Sequence, residues 1–321
     1  MSIHKIVVPT PFPVGPVNLY LCEGDALTLI DTGPNTDEAY DTIAQGLREH
    51  GYAIRDLKRI IITHTHPDHF GLTHQLVKES DATVWTHPFN SEWFNDLPNA
   101  IERRSHFTLD LFKQAGVSPP IIEAMRQFSP MLAQLYAAVP VSHWLNVGDV
   151  IELDNAGWQV VFTPGHAGGH SSLYQPDTQQ MIMGDHLLKH ISSNALVEAP
   201  TEGEPRVKAL AQYIEALQRV AELDVRIAYT GHGEDIHDHR ALIAERLKFH
   251  ESRFDHIENL LRKGEHTLYQ LVRAMFPRLR DFDLFLGLSE VLGHLDIMQA
   301  RGRVVEEPRN GHVVYKVIGN S

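Results

Sequence analysis

Apolar residues in the first 35 positions fall in short runs, HKIVV (4–8), VNLYLCEG (17–24) and ALTLIDTG (26–33), broken by Pro and Gly. That is the pattern of strands in a meander or at a sandwich edge. From Thr36 the period lengthens. Residues 36–50 open on Thr36 as N-cap, put acidic side chains in the first turn and set Ile43 and Leu47 four apart, which predicts a helix. KRIIITH (58–64) then reads as a buried strand, FGLTHQLVKES (70–80) as a short helix and ATVWTH (82–87) as a strand. Strands alternating with helices predict an α/β layered core.

Residues 88–143 break this rhythm with three helix-like stretches, around IERRSHFTLDLFKQAG (101–116), PIIEAMRQF (120–128) and PMLAQLYAAV (130–139). They are expected to form a helical lid inserted between core strands. The β pattern returns from Trp144 to Gly184; after a helix expected at 205–222, the strand VRIAYTGH (225–232) closes the region. Beyond 237 come a long charged helix, a capping box of Thr267 and Gln270, an amphipathic helix over 284–302 and a hairpin over 303–317. Helix, helix and two-stranded wing is the order of a winged-helix module. The expected organisation is an α/β domain over 1–237, with 88–143 as its helical lid, and a linker helix plus winged-helix-like domain over 238–321.

Composition narrows the function classes. The 321 residues are 43% hydrophobic and 21% charged, ordinary for globular chains, and the formal net charge of −13 disfavours a general nucleic-acid coat. No apolar run of about 18 residues appears, and the N-terminal stretch lacks the pattern of a signal peptide. A cytoplasmic protein without membrane partners is expected. The one cysteine, Cys22, excludes an intrachain disulfide framework and reads as a buried, inert thiol. Histidine is the outlier, at 21 residues, and histidine is the commonest metal ligand.

The histidines are placed rather than scattered. THTHPDHFG (63–71) follows the apolar strand and crowds His64, His66, Asp68 and His69 into one turn. Alternation projects His64 and His66 to one side, and Pro67 bends the chain so that Asp68 and His69 reach a neighbouring position. So tight a loop suits two adjacent ions, one on the His pair and one on the Asp–His pair. His166, Asp185 and His232 each follow a strand that ends in Gly, from which a loop can deliver one ligand apiece.

With these residues in view, the sequence resembles the metallo-β-lactamase superfamily over approximately residues 1–240, through LIDTG (29–33), THTHPDHFG, TPGHAGGH (163–170), MGDH (183–186) and TGHG (230–233). The resemblance implies a four-layered α/β/β/α sandwich with two metal ions at one edge of its sheets. It also implies that His64, His66 and His166 hold the first ion, Asp68, His69 and His232 the second, and that Asp185 bridges them. Two ions sharing a water lower its pKa and present hydroxide to an electrophilic centre, with Asp68 and Asp185 as the catalytic carboxylates. Zinc is the expected metal; the N/O ligand set also suits iron or manganese.

Around this set, Asp31 and His170 are candidates to support the ligands, and Lys189 and Asn194 to anchor a substrate anion. Phe107, Met125, Phe128, Met131 and Tyr136 are either lid core or the lining of an apolar pocket. Arg103 and Arg104 read as a solvated pair. The expected reaction is hydrolysis of a small ester, thioester or lactone. A β-lactamase proper is normally exported, flavodiiron reductases usually carry a carboxylate where this chain has His66, and persulfide dioxygenases keep a partial ligand set. The alternative is a metal-dependent endoribonuclease or phosphodiesterase, because a lactamase-like core with a winged-helix tail resembles a family that includes one. Residues 238–321 carry 13 Lys and Arg against 12 Asp and Glu, without the basic excess a nucleic-acid reader needs. Packing or homodimerisation is the preferred role for that module. A second alternative is a non-catalytic metal-binding regulator.

Overall fold

Two sheets are assembled from the strand runs read above. In the computed structural model, which describes residues 3–137, 139–201 and 203–318, with the backbone alone at 128–132, the first sheet contains β1 (Ile3–Val8), β2 (Val17–Cys22), β3 (Thr28–Ile30), β4 (Arg59–Ile61), β5 (Thr83–Thr86) and β6 (His143–Trp144), in that spatial order. Its first half is antiparallel; β3 to β6 are parallel. The parallel strands are reached through helical crossovers: α1 (Asp37–Glu49), then α2 (Pro67–Phe70) with α3 (Thr73–Ser80). Thr36 caps α1 by accepting the Ala39 amide at 3.2 Å.

The second sheet runs β11-β10-β9-β8-β7, from β7 (Val150–Leu153), β8 (Ala156–Phe162), β9 (Ser171–Gln175), β10 (Gln180–Gly184) and β11 (Ile227–Thr230). Tyr20, Ile30 and Ile61 of the first sheet meet Ile151, Trp158, Val160 and Ile182 of the second in one buried cluster. The outer face of the first sheet packs Leu19, Leu29 and Ile60 on Ile43 and Leu47 of α1. The outer face of the second packs Met181 and Met183 on α7 (Ala209–Ala221) and α8 (His239–Leu261). The result is the expected α/β/β/α layering.

The 88–143 insertion holds α4 (Ser91–Asn95), α5 (Leu97–Gln114) and α6 (Pro119–Ala133). The second and third helical stretches read from sequence run together as α6, and the helix expected at 205–222 begins only at Ala209. Leu111 and Phe112 of α5 share a core with α9 (Leu268–Met275) and α10 (Leu284–Ala300), so the insertion is braced by the C-terminal module. That module also carries a sheet of β12 (His266–Thr267), β13 (Val304–Arg309) and β14 (His312–Val317). The β13–β14 turn uses Asn310 and Gly311 at φ 51° and 82°, the left-handed pair a tight hairpin requires.

The amphipathic reading of α10 is corrected. Eleven of its residues, from Leu284 to Met298, are buried. A helix buried over most of its surface has no broad solvent face to keep polar. It packs against α7, α8 and α9, and the segment between β10 and α7 bonds to it: Ser289 Oγ accepts the Val197 amide at 3.3 Å, and Asp296 takes Arg206 and Lys208 at 2.7 Å each. Among the described residues no helix is long and apolar enough to cross a membrane.

Candidate metal centre

Four strand ends deliver the chemistry. After β4 the chain continues extended through His64 and His66. Pro67 occupies the first turn of α2, where its missing N–H is no loss, and Asp68 and His69 follow on that turn. His166 lies in the loop after β8, Asp185 directly after β10 and His232 just after β11. The two sheets are stitched together here: the Asn18 amide of β2 donates to Gly231 O at 2.7 Å, and Asn18 Nδ2 to Thr230 O at 2.9 Å.

The seven side chains meet. His64 Nε2 lies 3.0 Å from His66 Nδ1, and His69 Nε2 lies 3.4 Å from Asp185 Oδ1. Asp185 Oδ2 is 3.5 Å from both His166 Nε2 and His232 Nε2, and His232 Nε2 is 3.4 Å from Asp68 Oδ2. Donor atoms lie within 4.8 Å of one another in three sets: His64, His66 and His166; His64, His69 and Asp185; Asp68, His69 and His232. A tetrahedral zinc site with Zn–N of about 2.0–2.1 Å has ligand–ligand edges of roughly 3.3–3.4 Å, so these separations suit donors arranged around a cation.

The outer nitrogens fix which inner atom is aimed at the centre. His166 Nδ1 faces Asn194 O at 2.8 Å and His232 Nδ1 faces Pro16 O at 2.8 Å; a carbonyl only accepts, so both Nδ1 atoms carry the proton. His69 Nδ1 donates to Asp31 Oδ2 at 2.7 Å. The Thr63 hydroxyl donates to Asp31 Oδ2 at 2.8 Å and therefore accepts from His64 Nδ1 at 3.0 Å. In all four rings Nε2 is left facing inward.

The fit to a metal follows from what is left unpaired. Nε2 of His69, His166 and His232 and Oδ1 of Asp185 are buried without a hydrogen-bond partner. Orphaned buried polar atoms are rare and costly, and four aimed at one another need a cation to satisfy them. Gly231 leaves the required space: a Cβ there would stand 2.1 Å from Asp185 Oδ1. Burial, reinforced by neighbouring imidazoles, holds His64 and His66 well below the usual histidine range, so their lone pairs are free. Burial works the same way on His69 and His232, but there two carboxylates together outweigh it, Asp185 with Asp31 for His69 and Asp185 with Asp68 for His232, and both are raised. Asp185 itself is drawn well below the carboxylate range, against its burial, by His232 and His69.

A family model described as the metallo-beta-lactamase superfamily matches residues 12–232. The chain belongs to that superfamily. Over 319 residues it is 33% identical to a probable metallo-hydrolase, YqjP, of Bacillus subtilis, covering 99% of this chain and 98% of the relative. It is 23% identical over 329 residues to an atrochrysone carboxyl ACP thioesterase of Aspergillus terreus, covering 96% of this chain and 82% of that one. Among solved structures, a metallo-beta-lactamase family protein from Thermus thermophilus is similar across 99% of each chain, at a TM-score of 0.83 and 28% identity.

In this metallo-β-lactamase-superfamily protein Asp31 and His170 stand directly behind the cluster. His170 Nε2 accepts the Asp185 amide at 3.1 Å while its Nδ1 faces the Thr163 hydroxyl at 2.8 Å. Lys189 and Asn194 point elsewhere. The Lys189 ammonium is paired with Glu234 at the surface, and Asn194 Nδ2 donates to Leu286 O at 2.9 Å. What Asn194 offers the cluster is its backbone carbonyl. Sequence reading missed Ser193, whose hydroxyl lies 3.0 Å from His166 Nδ1 and also bonds Asp185 O. A hydroxyl next to Asn194 was a signal too generic to single out. Phe107 and Met125 pack into the C-terminal core and Tyr136 against the core of the first sheet; the side chains of Phe128 and Met131 lie outside the described residues.

Proposed function

We propose that the protein is a dinuclear metal-dependent hydrolase cleaving a small ester, thioester or lactone. His64, His66 and His166 hold one divalent ion, Asp68, His69 and His232 the other, and Asp185 lies between them. The observation that carries this reading is the convergence of buried, unpartnered donor atoms on both sides of the Asp185 carboxylate. Zinc suits the donor set, and iron or manganese are the alternatives. When bound, such a pair supplies water of lowered pKa and stabilises negative charge developing on the substrate.

The remaining work falls to the chain. Asp31, Thr63, Pro16 and Asn194 orient the imidazoles through Nδ1, so no reorganisation is needed when substrate arrives. Asp68 is 7% exposed, the right setting for a carboxylate that accepts a proton from the attacking water. The thioesterase relative supports an acyl-transfer substrate. The enclosure of α10 supports a small molecule over RNA, since the helix that a winged-helix reader would lay in a groove is buried here.

The test is turnover of thioester and lactone panels at low salt by metal-loaded protein, with single-stranded RNA as the competing arm. Hydrolysis of one acyl class that is abolished by chelation and restored by added metal is expected. Cleavage of RNA alone, or no turnover of any substrate by protein carrying two equivalents of metal, overturns the reading.

A further inference from the structure

Between β10 and α7 the chain runs from 186 to 200 with neither helix nor strand, yet Leu187, Leu188, Ser193 and Val197 are buried. A buried loop must find partners for its backbone outside itself. This one finds them on four helices. Tyr213 Oη of α7 donates to His186 O at 2.9 Å, and Arg246 Nη2 of α8 donates to Leu188 O at 3.2 Å and to Lys189 O at 2.9 Å. Ser289 Oγ of α10 accepts the Val197 amide at 3.3 Å. Arg103 Nη1 of α5 donates to Ala199 O at 3.0 Å and to Pro200 O at 2.6 Å. Arg103 and Arg104 are therefore not the solvated pair expected from the sequence: the Arg104 guanidinium carbon lies over the Trp93 and Phe285 rings, 5.7 and 5.8 Å from their centres.

The same segment holds a candidate ligand. Asn194 O and Ser193 Oγ both accept from His166 Nδ1, at 2.8 and 3.0 Å, while the Ser193 hydroxyl donates to Asp185 O. Glu198 Oε1 accepts the Gly168 amide at 2.9 Å, two residues beyond His166. The outer nitrogens of the other rings rest on the first sheet. His69 and His64 lean on Asp31 and Thr63, just beyond β3 and β4, and His232 leans on Pro16, just before β2. Ladder hydrogen bonds fix those supports. The support of His166 is fixed instead by α5, α8 and α10.

We infer that residues 186–200 are a strap through which the helical insertion and the C-terminal helices position His166, with Arg103 and Arg246 as the positioning residues that hold it. The inference rests on the dinuclear reading for its asymmetry: loosening the strap weakens the ion at His64, His66 and His166 and spares the ion at Asp68, His69 and His232. Asp185 keeps a support of its own, because His170 holds its amide. Both arginines grip backbone carbonyls with a charged donor, a bond roughly twice as strong as a neutral one. The bond from Asn194 Nδ2 to Leu286 O lies at the surface, where water replaces it.

Competition with a chromogenic chelator measures the affinity for each zinc ion, and anomalous peak heights in crystals of partly stripped protein show which ion leaves. In Arg103→Met and in Arg246→Met the affinity for the His166 ion is expected to fall about tenfold, with the other ion within twofold of the wild type; Arg246→Lys recovers part of the loss. Arg240→Met is the control. Arg240 makes the same kind of bond from α8, to Ala221 O at 2.8 Å and Leu223 O at 2.9 Å, but does not touch the strap. It is expected to leave both ions unchanged. A second readout is hydrogen exchange of the His166 Nδ1 proton, followed by NMR of zinc-loaded protein; both strap variants are expected to speed it at least tenfold and to leave the His232 Nδ1 proton as it was. Equal weakening of both ions, weakening of neither, or an Arg240→Met variant that matches the strap variants overturns the inference. If the wild type binds a single ion, the dinuclear reading fails, and the exchange of the His166 proton still decides the role of the strap.

Discussion

The Oδ2 atom of Asp31 lies 2.7 Å from Nδ1 of His69, both groups buried. The same carboxylate accepts the Thr63 amide and hydroxyl, at 2.8 Å to each from its nearer oxygen. One side chain thus orients His69 directly and His64 through Thr63. Asp31 sits at φ 60°, a conformation Asn tolerates and Ala does not, so Asp31→Asn isolates the hydrogen bonding. The amide has one acceptor where the carboxylate has two. Metal affinity is expected to fall ten- to a hundredfold, measured by competition with a chromogenic chelator.

Gly231 tests the geometry from the opposite side. Its absent Cβ would stand 2.1 Å from Asp185 Oδ1 and 3.0 Å from His69 Cε1. Gly231→Ala displaces the central carboxylate without altering a single donor. A displacement on that scale costs on the order of a hundredfold in rate, and bound metal per chain is expected to drop. Metal content and kcat at the wild-type level would show that Asp185 does not need its present position.

Lys189→Ala and Asn194→Ala are expected to do little to the chemistry. Lys189 pairs with Glu234 at the surface, and the contact Asn194 makes with His166 is through its backbone carbonyl, which Ala retains. Changes of about twofold in kcat/KM, the scale of ordinary surface substitutions, with undiminished metal content are expected. A large KM effect in either variant would return it to the substrate site.

The α8–α10 contact carries a pH dependence. His250 Nδ1 lies 3.2 Å from His294 Nε2, and His294 Nδ1 bonds Glu290 O at 2.7 Å. Burial, and for His250 the neighbouring His294, press both rings down to about 4. The folded state therefore binds fewer protons than the unfolded chain. The stability held by these neutral rings is complete above the ordinary histidine pKa of about 6.5 and is lost as pH falls towards 4, by up to about 3 kcal/mol for each ring. Glu290, raised by its burial, takes up a proton as pH falls and offsets part of this; Arg253, Arg246 and Glu251 complete the charged surroundings. In calorimetric melts of metal-loaded protein, the Tm of His250→Leu/His294→Leu is expected to fall less between pH 7 and 5 than that of the wild type. Parallel losses would remove the pair as the cause.

Much of the fold was legible because its signals are local. Apolar runs mark β2, β4 and β10, and Thr36 marks the start of α1. The seven candidate donors were legible because they cluster in one turn or follow a Gly at a strand end. What escaped depends on distant neighbours. The sequence of α10 has apolar residues on every face, and only its position between α7, α8 and α9 explains this. Arg103 and Arg104 look alike on paper; the carbonyls of Ala199 and Pro200, almost a hundred residues away, separate their roles. Asn194 was read for its side chain, whereas its backbone faces His166.

Anomalous diffraction from crystals of metal-reconstituted protein, recorded on both sides of the absorption edge of the metal, tests the central claim most directly. Two peaks roughly 3.5–4 Å apart are expected, one among His64, His66 and His166, the other among Asp68, His69 and His232, with Asp185 between them. A single peak, or metal held elsewhere with this cluster left empty, would contradict it.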